Sequence, residues 1–534
     1  MKKRLFAVAC IVALLAVLCL GIVGCDKTPA DQDDTENYQL NIIDDNYRNW
    51  YEIFVYSFFD TNNDGIGDLK GVTQKLDYVK DMGFNGIWLM PIHPSPTYHK
   101  YDVKDYYAID DVYGTLEDFD TLIEQAHARG IKVIIDLVFN HTSSDHPWFL
   151  QACDYIRKNG KPGGQYGDFY NFNTKELSGY SKVSGTNYYY EARFWSGMPD
   201  LNLNSQSVKS EMTKIMKYWL EDHNVDGFRL DAVTSYYTGN LDKNVSFLSW
   251  LNTTAKSIKS DCYIVGEAWE GNDVQINNYY KSGCDSFFLF TGATGTGKIA
   301  SFVKQQNATG FASWVDELQS TYTTGILAPF LGNHDTMRPG SFMPDELSLK
   351  MAAGLLSVMN GSVFVYYGEE IGMISKEGNS SDPHKRIAMN WDEGVYPGWC
   401  YTTPEKIKID SSYYAYPSVK EQQEDKNSVL SYYKKAMLLR NCYPSIARGT
   451  IEVIDTDAED TVCVLKKTYL DETITIVINL SRSSDESVTL GNMTMVGYLT
   501  AKENTKPVFD KNNGVATLPP CSIAIYKNSA DLNK

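Results

Sequence analysis

Short apolar segments recur through the middle of the chain and alternate with amphipathic stretches. The apolar segments carry β-branched and aromatic side chains, as expected for strands that are buried on both faces of a parallel sheet. Eight such strands are predicted, at residues 50–56, 86–91, 132–138, 225–231, 262–267, 285–290, 327–332 and 362–367. Between them, apolar residues recur at helical spacing, for example over 69–82 and 116–122. Eight strands with helical crossovers predict an α/β fold, the (β/α)8 or TIM barrel.

Two regions depart from this alternation. Residues 142–200 are rich in Gly, Tyr and Asn and show no clear helical pattern. A stretch of that length is predicted to be an inserted domain rather than a loop. After about residue 440 the pattern changes to β-type alternation with polar turns, as at 461–467 and 473–480, and no helix is indicated. We therefore predict a barrel over 46–440, an insert at 142–200 and a C-terminal antiparallel β-sandwich domain over 441–534.

The first 45 residues predict where the protein is located. Three basic residues at 2–4 precede an apolar run over 5–23, which is typical of a secretory signal. The segment Ile-Val-Gly-Cys at 22–25 resembles a bacterial lipobox, in which the cysteine receives a diacylglyceryl group. We expect residues 1–25 to be a lipoprotein signal, Cys25 to anchor the protein to the cell membrane on its extracytoplasmic side, and residues 26–45 to form an acidic linker. An uncleaved anchor helix and a cleaved, unattached protein are the alternatives.

Composition narrows the class of partner. The formal net charge is −18 and becomes −21 once the three basic residues before Cys25 are removed. Such a chain is expected to avoid nucleic acid, so a neutral polymer is a more natural partner. The 37 Tyr and 10 Trp residues suit stacking on sugar rings, although aromatic residues usually belong to the core. The seven cysteines after residue 25 are odd in number, and their spacing indicates neither a zinc site nor a disulfide framework.

Candidate chemistry lies at the ends of the predicted strands, where TIM barrels place their catalytic groups. The relevant segments are DLVFNH at 136–141, GFRLDA at 227–232, GEAW at 266–269 and NHD at 333–335. Arg229 and Asp231 are two positions apart, so on a strand they point to the same side, where the cation favours an ionised carboxylate. A lone Asp at a strand end is often a structural ion pair. Four such ends on one rim instead indicate a catalytic site.

These four segments resemble conserved regions I to IV of the α-amylase family, glycoside hydrolase family 13. Residues 86–92 (GIWLMPI) and 361–370 (GSVFVYYGEE) resemble the second-strand and eighth-strand segments of that family. Residues 386–391 (RIAMNW) are similar to its Arg-Thr-Pro-Met-Gln-Trp motif, with Ala where Pro is usual. The resemblance covers roughly residues 46–534 and implies that 142–200 is domain B and the C-terminal region is domain C.

The resemblance also implies a role for each site residue. Asp231 matches the nucleophile, Glu267 the general acid/base, and Asp335 the third carboxylate, which holds substrate hydroxyls. The substrate-binding residues implied by the match are Tyr101, Asp102, His141, Arg229, His334 and Arg386. Retaining hydrolysis needs one ionised and one protonated carboxyl group, so the pKa of Glu267 must be raised. No organic cofactor is expected.

A second group of oxygen-bearing residues follows the first predicted strand. The segment DTNNDGIGD at 60–68 resembles the start of an EF-hand calcium loop, and many oligo-1,6-glucosidase-like members of the family carry calcium at this place. The predicted calcium ligands are Asp60, Asn62, Asp64, Ile66 and Asp68. Position 12 of the pattern is Gly71 instead of Glu, and a helix-capping acidic turn is the alternative. Asn140 matches a ligand of a second calcium in true α-amylases, but AVTS at 232–235 replaces their Lys-His pair, which puts that site in doubt.

Bond specificity rests on smaller differences. Residues 198–202 (MPDLN) resemble the fifth region of members intermediate between oligo-1,6-glucosidases and neopullulanases, many of which are α-amylases. Oligo-1,6-glucosidases tend to carry Val where this chain has Ala232, and residues 26–45 leave no room for the N-terminal β domain of neopullulanases. We expect a monomer that hydrolyses internal α-1,4 bonds of α-glucans. The alternatives are α-glucosidase, neopullulanase-like and glucanotransferase activities, and a non-catalytic glycan-binding lipoprotein, which retention of all three carboxylates disfavours.

Overall fold

The structure, a computed structural model, describes residues 38–376, 382–457 and 459–531. Cys25, the predicted signal and most of the predicted linker lie outside the described residues, so the lipid anchor stays a prediction. Within the part of the chain that is described, no helix has the length and apolar composition needed to cross a membrane.

Eight parallel strands form the predicted barrel. They are β1 (Asn49–Ile53), β2 (Gly86–Leu89), β3 (Lys132–Leu137), β7 (Gly227–Leu230), β8 (Tyr263–Gly266), β9 (Ser286–Phe288), β10 (Ile326–Ala328) and β11 (Val363–Tyr366), the three intervening strands belonging to the insert. Their order is β10-β9-β8-β7-β3-β2-β1-β11, and a parallel bridge between Phe330 and Phe364 joins the two ends of the sheet. Every strand overlaps its predicted segment, so the predicted fold class is confirmed.

Helices connect consecutive strands of the barrel, and two more follow its last strand. They are α1 (Leu69–Gln74), α2 (Leu76–Asp81), α3 (Leu116–Ala128), α5 (Gln206–Lys217), α6 (Leu241–Ile258), α7 (Asp273–Tyr279), α8 (Lys298–Gln305), α9 (Ala308–Thr321), α10 (Pro339–Phe342), α11 (Glu346–Val358), α12 (Val419–Glu424) and α13 (Val429–Cys442). Helix α3 begins at a capping box between Thr115 and Asp118, which satisfies two amides of its first turn. The periodic segment 69–82 forms two short helices, because Lys75 has a ψ of 4° and interrupts the α-helical backbone.

Aromatic side chains fill the interior of the barrel. Trp50 of β1 stacks on Tyr263 of β8, on the opposite wall, with ring centroids 5.1 Å apart. Trp88 of β2 packs against Phe288 and Phe364, with centroid separations of 5.4 and 6.2 Å. All five side chains are buried. They form an apolar floor beneath the carboxyl ends of the strands, where groups of low solvent access can be held.

The insert after β3 contains a helix that its sequence pattern did not reveal. Helix α4 (Pro147–Asn159) begins with Pro147, is capped by the His146 side chain and ends at Gly160 in the left-handed conformation. Its buried face carries apolar residues at helical spacing, but the surrounding Gly, Tyr and Asn residues obscure that spacing. The expectation of no clear helix was therefore wrong. A small antiparallel sheet in the order β4-β6-β5 completes the insert, from β4 (Phe172–Asn173), β5 (Tyr180–Lys182) and β6 (Tyr189–Glu191).

The C-terminal region is the predicted sandwich of two antiparallel sheets. Strands β12 (Thr450–Ile454), β13 (Val462–Tyr469), β14 (Glu472–Asn479), β16 (Met493–Thr500) and β19 (Ser522–Asn528) form one sheet in the order β12-β13-β14-β19-β16. Strands β15 (Glu486–Thr489), β17 (Val508–Asp510) and β18 (Val515–Leu518) form the other in the order β15-β18-β17. Val464, Val477, Val488 and Leu518 pack together between the two sheets and give the sandwich its own apolar core.

The predicted boundary between barrel and sandwich needs correction. Residue 440 falls inside α13, and a further helix, α14 (Pro444–Arg448), precedes the first strand at Thr450. Pro444 cannot continue α13, but it is suited to the first turn of a new helix. The expectation of no helix after residue 440 was therefore wrong, and the sandwich begins about ten residues later than predicted.

Two buried basic side chains donate to the carboxyl end of α11, and one of them, Lys467, fastens the sandwich to the barrel. Lys467 of β13 donates from Nζ to the carbonyl oxygens of Val358 (2.6 Å) and Ile446 (2.8 Å) and to Asn360 Oδ1 (2.6 Å). Arg440 donates to the carbonyl oxygens of residues 357, 359 and 361. Both side chains therefore lie at the carboxyl end of α11, where the last carbonyl groups need donors.

We expect Lys467→Ala to lower the free energy of unfolding by about 2 to 4 kcal/mol, because three buried oxygens lose their donor and a cavity opens. Urea denaturation followed by circular dichroism measures this change. Lys466→Ala is the matched control, since the neighbouring side chain forms an exposed pair with Glu452 and should contribute less than about 1 kcal/mol. Equal losses in the two variants would contradict this role for Lys467.

Candidate active site

Charged side chains occupy the carboxyl ends of the barrel strands, directly above the apolar floor. Glu52 of β1, Asp136 of β3 and Arg229 of β7 are at most 1 % exposed, and the loops after β7, β8 and β10 add Asp231, Glu267 and Asp335. His334 packs edge-on against Trp88 with a centroid separation of 5.5 Å, and the Arg229 guanidinium lies 5.1 Å from the centre of the Trp88 ring. The structure thus brings the three predicted catalytic carboxylates to one rim.

Arg229 is the centre of this group. The strand register places Asp136 directly opposite Arg229, and Nη1 of Arg229 lies 2.8 and 3.0 Å from the two Asp136 oxygens. The same Nη1 donates to Asp231 Oδ1 at 2.8 Å, and Nη2 lies 3.1 Å from Glu267 Oε2. The hydrogen bond to Arg229 fixes the position of the Asp231 carboxylate at the rim, as an attacking carboxylate requires.

Glu267 is in a different electrostatic environment from Asp231. Its carboxyl group is buried, and Oε2 accepts a hydrogen bond from the backbone amide of Ala232 at 2.9 Å. Burial, reinforced by the negative charges of Asp231 and Asp335, raises the pKa of Glu267 to about 7 in spite of the nearby Arg229. A large fraction of Glu267 is therefore protonated near neutral pH, which suits a proton donor.

Asp335 is held by two cations. His334 Nε2 lies 2.9 Å from Asp335 Oδ2, and Arg386 Nη2 donates to Asp335 Oδ1 at 2.7 Å. Burial acts in the opposite direction, but His334 and Arg386 together hold the pKa of Asp335 well below its usual range. Asp335 is therefore an ionised acceptor, able to receive hydrogen bonds from the hydroxyl groups of a ligand.

The remaining predicted binding residues lie at the same rim. The hydroxyl oxygen of Tyr101 lies 2.8 Å from His334 Nε2, and the Tyr101 ring stacks on the His334 ring. His141 Nε2 lies 3.2 Å from the carbonyl oxygen of Tyr101. Asp102 accepts hydrogen bonds at Oδ1 from the hydroxyls of Ser95 and Thr97, while its buried Oδ2 has no partner among the described residues. An acceptor in that condition can bind a ligand hydroxyl.

Four further residues belong to the site but were not among the predicted site residues. Glu52 and Asp136 contact His334 and Arg229, and Trp269 and Phe194 lie on the rim, each about half exposed. The Trp269 ring stacks on Phe290, and Phe194 packs edge-on against His141. Burying a carboxylate in an apolar strand costs free energy unless the group is paired. A charged residue within an apolar strand segment, as at Glu52 and Asp136, is therefore a sequence signal for a buried partner. The exposed rim rings carry no comparable signal.

The predicted calcium loop is a series of tight turns. The Asp60 carboxylate accepts the amides of Asn62, Asn63 and Gly65, at 3.0, 2.7 and 2.7 Å, and the next side-chain oxygens each accept the amide two residues further on. Asp68 accepts the Gly71 amide at 2.7 Å and caps α1. The loop presents an all-oxygen donor set, which is the ligand chemistry that calcium prefers, so the residues fit the predicted ion. The helix cap at Asp68 fits the alternative as well.

Comparison with known proteins identifies relatives over most of the chain. A family model described as "Alpha amylase, catalytic domain" matches residues 52–449. "Alpha-amylase 3" of Dictyoglomus thermophilum is 38 % identical over 447 residues, which cover 82 % of this chain and 85 % of that protein. An oligo-1,6-glucosidase of Parageobacillus thermoglucosidasius is 30 % identical over 516 residues, with coverages of 81 % and 90 %.

Solved structures give the same result. "Eubacterium rectale Amy13B" superposes with a TM-score of 0.87 and 40 % identity over 93 % of this chain and 98 % of that one. An α-amylase from H. orenii superposes with a TM-score of 0.79 and 34 % identity, over 91 % and 100 % of the two chains. The similarity extends over the barrel, the insert and most of the sandwich.

The ionisation of Glu267 predicts a pH dependence. We expect kcat/KM for a glycoside substrate to fall about tenfold per pH unit above about pH 7, because the proton donor is lost as pH rises through its pKa. Initial rates in a constant-ionic-strength buffer series measure the profile. A substrate with a nitrophenyl leaving group is the control, since its departure needs little protonation and the decrease should be weaker. Identical profiles for the two substrates would contradict proton donation by Glu267.

Proposed function

The chain belongs to the α-amylase family, and we propose that it hydrolyses internal α-1,4-glucosidic bonds of starch, maltodextrins and related α-glucans with retention of configuration. One observation carries this proposal. Asp231 and Glu267 lie on either side of the Arg229 guanidinium, yet Asp231 is directly hydrogen-bonded to it while burial keeps Glu267 partly protonated. Retaining hydrolysis needs one nucleophilic and one proton-donating carboxyl group, and this environment provides both.

The reaction follows from the positions of these two carboxyl groups. Asp231 attacks the anomeric carbon while Glu267 transfers its proton to the departing glycosidic oxygen, so that a glycosyl ester forms on Asp231 and the leaving chain is neutral. Glu267, now ionised, takes a proton from water, and the water oxygen attacks the ester and releases Asp231. Asp335, Arg386 and His334 hold the hydroxyl groups of the sugar at the cleavage point, which favours the distorted ring of the transition state.

Cleavage inside a long chain is supported by the rim of the site and by the relatives. Trp269, after β8, and Phe194, from the insert, offer exposed ring faces on which further sugar units can stack. The relative from Dictyoglomus thermophilum is named as an α-amylase. Since an oligo-1,6-glucosidase also matches, α-1,6 cleavage is the competing activity that an experiment must exclude.

We expect the protein to lower the viscosity of amylose much faster than it releases reducing ends, and to act poorly on pullulan and isomaltose.

Asp231→Asn and Glu267→Gln remove the nucleophile and the proton donor with little change in volume, so both should retain the fold and oligosaccharide binding. Glu267→Gln should lose about 10²- to 10⁴-fold in kcat. Azide should rescue Glu267→Ala as a glycosyl azide. Glucose release from isomaltose in preference to amylose, or near-native turnover by either isosteric variant, would refute the proposal.

We also propose that loop 60–68 binds a structural calcium ion. Asp60, Asn62, Asp64 and Asp68 can offer side-chain oxygens and Ile66 its carbonyl oxygen, and Gly65 with a φ of +88° provides the sharp turn that the pattern requires. A Cβ at Gly65 would lie 2.4 Å from Thr402 Oγ1, so the turn is also closely packed against residues 401–402. An ion here would link the segment after β1 to that distant loop without taking part in the chemistry.

If calcium binds only the folded loop, chelation should lower Tm, because the binding free energy adds to the free energy of unfolding. Differential scanning calorimetry with EDTA, and then with excess calcium or magnesium, tests this. Asp64→Ala should show the lower Tm without chelator and no further response to EDTA. Asp111→Ala, an exposed acid elsewhere on the surface, is the control and should respond like wild type. A Tm unaffected by EDTA would refute the calcium site.

A further inference from the structure

A buried carboxylate lies behind the site and has no part in the mechanism above. Glu52 is the fourth residue of β1, is 1 % exposed and is surrounded by apolar strand residues. Its Oε1 lies 2.5 Å from Nδ1 of His334, which is 282 positions away in the chain. The opposite ring nitrogen, Nε2, faces the substrate pocket and lies 2.9 Å from Asp335 Oδ2. The His334 ring is therefore held between two carboxylates.

The neighbours of the His334 ring indicate which nitrogens carry protons. Nε2 lies 2.9 Å from Asp335 Oδ2, and an ionised carboxylate can only accept, so this contact is a hydrogen bond when Nε2 carries a proton. The Tyr101 oxygen, 2.8 Å from Nε2, can accept as well, because its own hydrogen can go to Asp136 Oδ2 at 3.1 Å. For the Glu52 carboxylate to accept a hydrogen bond from the ring, Nδ1 of His334 must carry a proton at the same time. Both requirements are met by the imidazolium form of His334.

We propose that Glu52 is a positioning residue that holds His334 as an imidazolium, with Nε2–H directed at Asp335 and the substrate hydroxyl groups. The proposal rests on the hydrolytic function inferred above and deepens it. Glu52 acts through His334 and does not touch the substrate. Without the carboxylate, a neutral imidazole has one N–H to share between its two sides, and Asp335 can lose the donor that keeps it ionised and oriented.

The other charges that face His334 are compatible with this role. Arg386 Nε donates to the His334 carbonyl oxygen at 3.1 Å and opposes a positive ring, as does Arg229 on the far side of Tyr101. The Asp136 carboxylate, next to the Tyr101 hydroxyl, favours a positive His334 ring. Burial alone would lower the pKa of His334, but Asp335 and Glu52 outweigh it and raise the pKa to about 9. Removing the Glu52 charge should lower the pKa of His334 by about one to three pH units.

The test is a histidine titration by NMR in wild type and in Glu52→Gln, which keeps the shape of the side chain and removes its charge. The chain has eight histidines, so ¹³C-labelled histidine gives a small set of signals, and His334→Asn identifies the one of interest. In wild type, the His334 signal should remain that of imidazolium up to about pH 8. In Glu52→Gln, its midpoint should fall by about one to three pH units.

Kinetics provide a second readout that a purely structural role would not produce. The kcat of Glu52→Gln relative to wild type should decrease as pH rises from about 6 to about 8, because the variant loses the imidazolium over that range. KM should change less than kcat if the contact strengthens in the transition state. Glu52→Asp, which retains the charge, should recover part of the activity at pH 8.

The control is Glu370→Gln. Glu370 is another fully buried glutamate, but its Oε1 accepts hydrogen bonds from Tyr51 and Tyr78 at 2.6 and 2.7 Å. Its variant should leave the His334 titration and the pH dependence of kcat unchanged. A neutral His334 in wild type at pH 7, or an equal midpoint in wild type and Glu52→Gln, would overturn the proposal. The wild-type titration needs neither a folded variant nor a substrate, so its result is independent of whether the protein hydrolyses α-1,4-glucans.

Discussion

The group of carboxylates at the rim depends on one cation, the Arg229 guanidinium. Asp136, Asp231 and Glu267 lie within about one hydrogen-bond length of Arg229, at the bottom of a pocket where water has little access. Three carboxylates so placed would repel each other and would take up protons if no cation were present. Arg229 is suited to the position because its planar fork always carries charge and presents several donors in fixed directions. The arrangement of the pocket depends on that one side chain.

The barrel supplies the conditions under which this cation is effective. The Trp50, Trp88 and Tyr263 rings exclude water from below, so that charge–charge interactions at the rim are stronger than in solvent. The same exclusion penalises any carboxylate that lacks a direct partner. Glu267 is buried among negative neighbours, and its pKa is therefore raised although it borders the same cation as Asp231. Two carboxyl groups acquire two roles from their surroundings.

Basic side chains also hold larger parts of the molecule together. Lys467 of the sandwich and Arg440 of α13 both donate to backbone oxygens at the end of α11, and the Lys467 contacts connect the sandwich to the barrel. His334, in the loop after β10, connects that loop to β1 through Glu52. Although the net charge of the chain is −18, several of its basic side chains are buried where oxygen atoms need donors. They satisfy groups that water cannot reach.

The sequence alone determined the eight strands, the order of barrel, insert and sandwich, and the three carboxylates at the strand ends. It could do so because buried parallel strands need continuous apolar segments, and because the strand-end motifs are local in the chain. It did not determine α4, whose apolar spacing is obscured by its neighbours, or α14, since a short helix and a strand place similar residues in a short window. Only the tertiary structure decided the pairing of Asp136 with Arg229, which depends on strand register, and of Glu52 with His334, which depends on closure of the barrel. Those contacts join residues 93 and 282 positions apart, and no local pattern encodes which distant charge a buried side chain will meet.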